Sequence, residues 1–197
     1  VVVGLSGGLD STLALIVAVE AFKKGNLKKE NIIAISMPGE ATSDRTKDNS
    51  SKLASLFGVT FKEIPIKASV TLHLKEIGEK SNSSIAFENA QARERTQILM
   101  DIANMEGAVN VGTGDLSESF LGWCTYGGDQ LSMYGVNGGV PKTLVRALCS
   151  YYGETHPKYN QVLKSIVETP ISPELLKEKG NKIQLTEEKI GPYDLND

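Results

Sequence analysis

Cysteine, histidine and tryptophan are scarce in this chain, with two, two and one among 197 residues. Cys124 and Cys149 stand alone without CxxC spacing, which argues against a disulfide framework or a zinc site and fits a reducing cytoplasm. A basic excess is also lacking. The net charge of -3 and the pI near 5.5 give no electrostatic support for broad binding to nucleic acid or to an anionic membrane surface. An anionic ligand would therefore have to be met by local bases or by a metal. No apolar run approaches the roughly 18 residues needed to cross a bilayer, and no charged leader precedes a signal-like stretch. What is present, with 40% hydrophobic residues, 23% charged residues and 19 glycines, is the composition of a globular protein. The length suits one domain with one well-formed core. The chain opens inside an apolar run at Val1 and stops just after "GPYDLND", so a piece of a longer polypeptide is expected.

Four short β-branched runs punctuate the first half, at Val1 to Leu5, Ile32 to Met37, Val59 to Ile66 and Ala108 to Gly112. Helical patterns alternate with them, at about Ser11 to Lys24, Thr46 to Phe57, Val70 to Ile77 and Glu88 to Met105. Such alternation predicts a doubly wound α/β fold, a parallel sheet with helices on both faces, because each crossover returns right-handed over the sheet. Beyond residue 115 the rhythm changes. "SESFLGW", "PKTLVRALCSYY" and "HPKYNQVLKSIVETP" read as helices, the last stopped by Pro170, and no clear strand is expected in this helical C-terminal part.

In "GLSGGLDST" a strand runs into glycines and then a helix, whose first backbone N–H groups lack internal partners and whose dipole favours an anion. Gly7 and Gly8 let the backbone approach a phosphate closely, and Ser6 and Ser11 add hydroxyls. The stretch matches neither a Walker A loop nor a dinucleotide fingerprint. Where a Walker loop has Lys and a hydroxyl, it has Asp10 and Ser11. A carboxylate beside a phosphate is repulsive unless a cation intervenes, and oxygen ligands together with phosphate favour magnesium. The plainer alternative is a tight turn with Asp10 as a helix-start residue.

With strand order 3-2-1-4, strands 1 and 4 would flank the ligand crevice at the carboxyl end of the sheet. Strand 4 ends in "VGTGDLSES", so Glu118 could add a second carboxylate to a magnesium begun by Asp10, and Thr113 could donate to a nucleotide. Alternatively Asp115 or Ser117 caps a helix and Glu118 is its first-turn partner. In "ENAQARERTQILMDIANMEG", Asn89 and Arg93 are four apart and share one helix face, either solvated or holding a polar substrate. The loop "LGWCTYGGDQLSMYGVNGG" is long enough to be functional. Trp123 and Tyr126 could stack on a flat ring or be ordinary packing aromatics. Lys142, after Pro141 at a helix start, could neutralise phosphate or lie exposed.

"SGGLDS" resembles the SGGxDS signature of enzymes that split ATP into AMP and pyrophosphate. Together with "TSDRT", "ENAQARERTQ", "GTGDLSES", "GWCTYGGD", "VPKTLVR", "TPISPELL" and "TEEKIGPYDLND", it closely resembles the ammonia-ligase domain of the NAD synthetase family over nearly the whole chain. "GTGDLSE", "PISPEL" and "GPYDL" are more similar to its glutamine-dependent bacterial members than to the short ammonia-only ones. The resemblance implies an adenine nucleotide alpha hydrolase-like fold, residues 1–197 forming one ligase domain that lacks an N-terminal glutaminase domain and a C-terminal tail. It implies adenylation of the nicotinate carboxylate of deamido-NAD by ATP with Mg2+, then displacement of AMP by ammonia, in a cytoplasmic homo-oligomer, a dimer or higher, without nucleic-acid or membrane partners.

Carried over residue by residue, the resemblance implies an ATP loop over Gly4, Leu5, Ser6, Gly7, Gly8, Leu9, Asp10 and Ser11. It places adenine near Ser36 and Met37, and nucleotide contacts at Thr113 and Lys142. Deamido-NAD contacts fall on Asn89, Arg93, Glu118, Trp123, Cys124, Thr125 and Tyr126, magnesium on Asp10 and Glu118, and catalysis on Asp10, Glu118 and Lys142. "MPGEAT" departs from the family's usual Gly/Phe-containing turn, so the adenine-side loop is expected to differ in shape. Asn196 stands where the family commonly has His before Asp. His73 and His156 lie outside every matched motif, which leaves a histidine triad unsupported. Other ATP pyrophosphatases, such as GMP synthetase or a tRNA-modifying ligase, and a catalytically silent nucleotide-binding module are the competing readings.

Overall fold

The computed structural model describes residues 1–39 and 42–169. Alternation along short apolar runs decides how the sheet is buried, because successive strand residues point to opposite faces. Val2 and Val3 separate in this way, and so do Ile33 and Ala34. Val3, Ala34 and Leu5 join one apolar cluster with Leu13, Ile16, Leu53, Phe57, Val145 and Leu163, whereas Val2, Ile33 and Ile35 join another with Ile66, Val70, Leu74 and Phe87. The sheet is therefore packed on both faces, as its near-continuous apolar strands require.

The elements run β1 (Val2–Gly4), α1 (Leu9–Lys24), a single 3-10 turn (Lys29–Asn31), β2 (Ile33–Ser36), α2 (Asp44–Phe57), β3 (Thr60–Glu63) and α3 (Lys67–Glu76). Then follow α4 (Ile85–Met105), β4 (Asn110–Gly112), α5 (Leu116–Leu121), β5 (Tyr134–Gly135), α6 (Lys142–Thr155) and α7 (Pro157–Val167). Every pairing is parallel, in the order β3-β2-β1-β4-β5. The doubly wound fold and the order of its first four strands are as expected. The chain winds outward from β1 to β3, then crosses to the other side of β1 to form β4, which makes the β1/β4 boundary the switch point.

Local chemistry accounts for the element ends. Ser43 caps α2 by accepting from the Thr46 N–H, and Gly58 ends it in a left-handed conformation. Ser84 accepts from the Phe87 N–H, so α4 begins three residues before the Glu88 start expected from its apolar spacing. Gly122, with φ 66°, stops α5 before Trp123. The expectation of no strand after residue 115 is corrected by β5, whose register pairs Val111 with Tyr134 and Gly112 with Gly135. Two residues carry no periodicity, so this strand had no signature. Pro170 and the "TPISPELL" and "TEEKIGPYDLND" matches lie wholly or mostly outside the described residues, as do Glu40 and Ala41 of "MPGEAT". Among the described residues no helix is long and apolar enough to cross a membrane.

Candidate active site

The turn from β1 into α1 is built by its glycines. The Leu5 N–H continues the ladder to the Ile35 carbonyl at 2.8 Å. Gly7 then takes φ 88°, and a Cβ there would collide with the Thr46 carbonyl at the start of α2. Gly8 precedes α1 in an extended conformation and provides no side-chain cap. The Ser11 and Thr12 hydroxyls donate to the Gly8 carbonyl instead, at 3.2 and 2.7 Å. Neither hydroxyl accepts from the first amides of α1, so those amides and the helix dipole remain available to an anion. Leu5 and Leu9 belong to the core, so they offer a ligand their backbone rather than their side chains.

Across the switch point, α5 begins with a reciprocal cap. The Glu118 N–H donates to Asp115 Oδ1 at 2.8 Å, and the Asp115 N–H donates to Glu118 Oε2 at 3.3 Å. The structural alternative for Asp115 and Glu118 thus holds, and the chemical one stands beside it. Lys142 Nζ donates to Asp10 Oδ2 at 2.6 Å and to Glu118 Oε1 at 2.9 Å, and lies 3.0 Å from Asp115 Oδ2. Its side chain is 2% exposed, which rules out the exposed alternative for Lys142.

Three carboxylates face one ammonium here, leaving two negative charges in excess when all are ionised. Burial, and then the Asp10 charge, push the Glu118 carboxyl up to about 7. Burial likewise raises Asp10, with Lys142 opposing. Burial alone would lower Lys142, but Asp10 and Glu118 outweigh it and hold the ammonium above its usual range. Asp10 Oδ1 is buried without a hydrogen-bond partner, and Asp115 Oδ2 meets the Lys142 ammonium only as an ion pair. One ligand atom from each of Asp10, Asp115 and Glu118 lies within 4.8 Å of the others. Hard oxygen donors with uncompensated charge, one of them an unpartnered Asp10 oxygen, fit a divalent cation such as magnesium. Asp115 is the carboxylate that sequence reasoning assigned only to a cap.

Beside this cluster a cleft of about 250 Å³ opens between the ends of β1, β2 and β4 and the side of α4. Gly4, Leu5, Ser6, Ser11, Ser36, Met37 and Thr113 all line it. Arg95, which lies within "ENAQARERTQ" but was given no role there, also lines it and donates from Nε to the Met37 carbonyl at 3.1 Å. Asn89 and Arg93 meet the loop after α5. Thr125 Oγ1 donates to Asn89 Oδ1 at 2.9 Å, and Arg93 Nε donates to the Tyr126 carbonyl at 3.1 Å. Tyr126 is 83% exposed. The Trp123 N–H bonds the Glu118 carbonyl, so this loop springs from the helix that carries Glu118. Trp123 and Cys124 are not among the residues lining the cleft, and the exposed Cys124 thiol instead bonds Gln130.

A family model described as NAD synthase matches residues 1–197. A glutamine-dependent NAD(+) synthetase of Mycobacterium leprae is 46% identical over 207 residues, covering 100% of this chain and 30% of the relative. The chain therefore spans about a third of the length of the curated relatives it matches. Among solved structures, the glutamine-dependent NAD+ synthetase from Acinetobacter baumannii in complex with ADP is similar, with a TM-score of 0.78 and 31% identity over 87% of this chain and 32% of that one. An NMN synthetase from Francisella tularensis matches with a TM-score of 0.77 and 26% identity, over 95% of this chain and 70% of its own.

Proposed function

This chain belongs to the NAD synthase family, and from that membership we propose that it uses ATP to activate the nicotinate carboxylate of deamido-NAD for attack by ammonia. The observation that carries the reading is the meeting of Asp10, Asp115, Glu118 and Lys142 beside the cleft at the β1/β4 switch point. The carboxylate attacks the α-phosphorus of ATP and pyrophosphate leaves. Ammonia then displaces AMP, and the amide of NAD forms.

In this reading the cleft between Ser36, Met37 and Thr113 receives the adenosine, and the amides after Gly8 face the phosphates. Asp10 and Glu118, with Asp115, would hold magnesium, which when bound would draw off negative charge developing on the departing pyrophosphate. Lys142 adds a fixed positive charge that needs no reorganisation during the reaction. Asn89, Arg93 and the Trp123–Tyr126 loop orient deamido-NAD. Gly4 to Ser11 and Thr113 supply the nucleotide contacts. The relatives' length supports a longer polypeptide whose glutaminase domain supplies the ammonia, and two unpaired cysteines support a cytoplasmic setting.

With ATP, magnesium, deamido-NAD and ammonium, the protein is expected to form AMP, pyrophosphate and NAD in equal amounts. Absence of AMP and pyrophosphate overturns the reading, and turnover of nicotinate mononucleotide alone moves the acceptor to that smaller substrate. Asp10→Ala and Glu118→Ala should each raise the magnesium requirement sharply. Glu118 also fixes a pH dependence. A proton held to about 7 competes with the cation, so half-saturating magnesium should fall as pH rises from about 6 to 8.

A homo-oligomer, dimer or higher, belongs to the same proposal. Its support is one stripe of α6, where Leu144, Leu148 and Tyr151 stand three and four residues apart and are all exposed, beside exposed Phe120 on the neighbouring α5. Light scattering should give a mass above that of a single chain, reduced in Leu148→Glu. A monomer at concentrations that support turnover would count against the stripe.

A further inference from the structure

We infer that Asn137 is a positioning residue whose carboxamide fixes the distance between the Asp10 turn and the Thr113 loop, so that their carboxylates meet as one cation site. The inference rests on the ligase reading above and extends it to a residue of the long loop after α5 that has been given no role so far.

Asn137 is fully buried. Its Nδ2 donates to the Asp10 carbonyl and to the Thr113 carbonyl, each at 2.9 Å. Both partners are acceptors, so the amide has only one workable orientation, because its oxygen would be repelled by them. That orientation leaves Asn137 Oδ1 buried without a hydrogen-bond partner. A buried amide with one end unsatisfied is retained more readily when its other end does something that an apolar side chain cannot do.

What it does follows from where its partners lie. Asp10 opens α1 on one side of the switch point, and Thr113 follows β4 on the other. Lys142 spans the same gap through charge, which any cation at the carboxylates would share. Asn137 spans it through two neutral backbone carbonyls. The connection bearing Asn137 is itself pinned. β5 pairs with β4, the Val140 N–H bonds the Asn137 carbonyl at 2.8 Å, and the Leu116 N–H bonds the Val140 carbonyl at 3.0 Å. The Lys142 N–H closes the run by donating to Ser117 Oγ at 3.0 Å. One short connection thus holds the two loops together and delivers the ammonium between them.

Metal affinity responds to such supporting bonds, since carboxylate ligands must arrive at set distances. The test compares Asn137→Ala, Asn137→Asp and Asn137→Ser with wild type and with Val162→Ala, a core truncation on α7. The Asp variant keeps the shape but sets an oxygen against both carbonyls, and Ser keeps one donor. Mn2+ binding, with and without ATP, is followed by water-proton relaxation, alongside half-saturating magnesium for AMP release and thermal melts. Asn137→Ala and Asn137→Asp should weaken Mn2+ about 10–100-fold, with Ser between them and wild type. Val162→Ala should lower the melting temperature without moving Mn2+ affinity. Unchanged Mn2+ affinity in both severe variants, or an equal loss in Val162→Ala, overturns the inference alone. A wild-type protein that binds no Mn2+ overturns it together with the cation site of the ligase reading.

Discussion

Lys142→Met is expected to reduce AMP formation by about 10²–10³-fold, the scale seen when one fixed charge-stabilising group is removed from an active site. It should also destabilise the magnesium-free protein by about 3–5 kcal/mol, because deleting one partner of a buried ion pair leaves the other charges desolvated and uncompensated. Methionine keeps most of the side-chain volume, so the loss reports charge rather than packing. Lys142 and Asp115 are 2% and 0% exposed, and Asp10 and Glu118 are 23% and 24% exposed, so solvent does little to screen the cluster. Magnesium should restore part of the stability, since a divalent cation compensates the same carboxylates.

The sign of the pH response provides a second check on Lys142. The Glu118 carboxyl is raised from 4.5 to about 7 in the folded wild-type protein, so the folded state holds a proton that the unfolded chain releases. Its contribution to stability is fully present below 4.5 and is lost as pH rises through about 7. Without the ammonium the folded-state value moves higher and the loss grows. Denaturant melts across this range, with and without magnesium, measure both effects. A Lys142→Met protein as stable as wild type at neutral pH without magnesium would contradict the ion-pair account.

Gly7→Ala has the second largest expected effect. At φ 88° an alanine is strained by about 1–3 kcal/mol, and its Cβ would meet the Thr46 backbone carbonyl rather than a side chain that could swing aside. Relief requires the turn to move off α2, which displaces the amides that the proposed function sets against the phosphates. Nucleotide affinity should fall at least about tenfold, as expected when an anion-binding turn loses its shape. Gly8→Ala is the control. Gly8 has φ −90°, and a Cβ there would meet only Ser6 Oγ at 3.3 Å. Calorimetric titration with a non-hydrolysable ATP analogue should separate the two variants widely, and equal affinities would show that the turn does not depend on Gly7.

The parts of this site legible in the sequence are those whose signal is local. A strand leading through SGG into an apolar helix has its reasons within eleven residues, and the alternation of β1 to β4 with helices predicts the first four strands in order. Glu118 was legible as a carboxylate at the end of β4. Asp115 was legible only as a cap, because its spacing to Glu118 explains it fully until Lys142 arrives from 24 residues beyond Glu118 to meet both. Asn137 lies in "GVNGG", which reads as a turn, and its partners at Asp10 and Thr113 are 127 and 24 residues away. Such bonds leave no periodicity. Arg95 was hidden likewise, since its tie to Met37 crosses 58 residues of chain.

The carboxylate cluster draws on residues 10, 115, 118 and 142, and this fixes when in the life of the chain it can exist. As synthesis passes β4, the first four strands can pair, with α6 and α7 still absent from one apolar cluster, and Asp10 then has neither Glu118 nor Lys142 beside it. Contacts this distant form late, after the entropy of closing long loops has been overcome. The first four strands can therefore pair before the carboxylate cluster closes. Docking of β5 and α6 is the step that brings Lys142 to Asp10, Asp115 and Glu118.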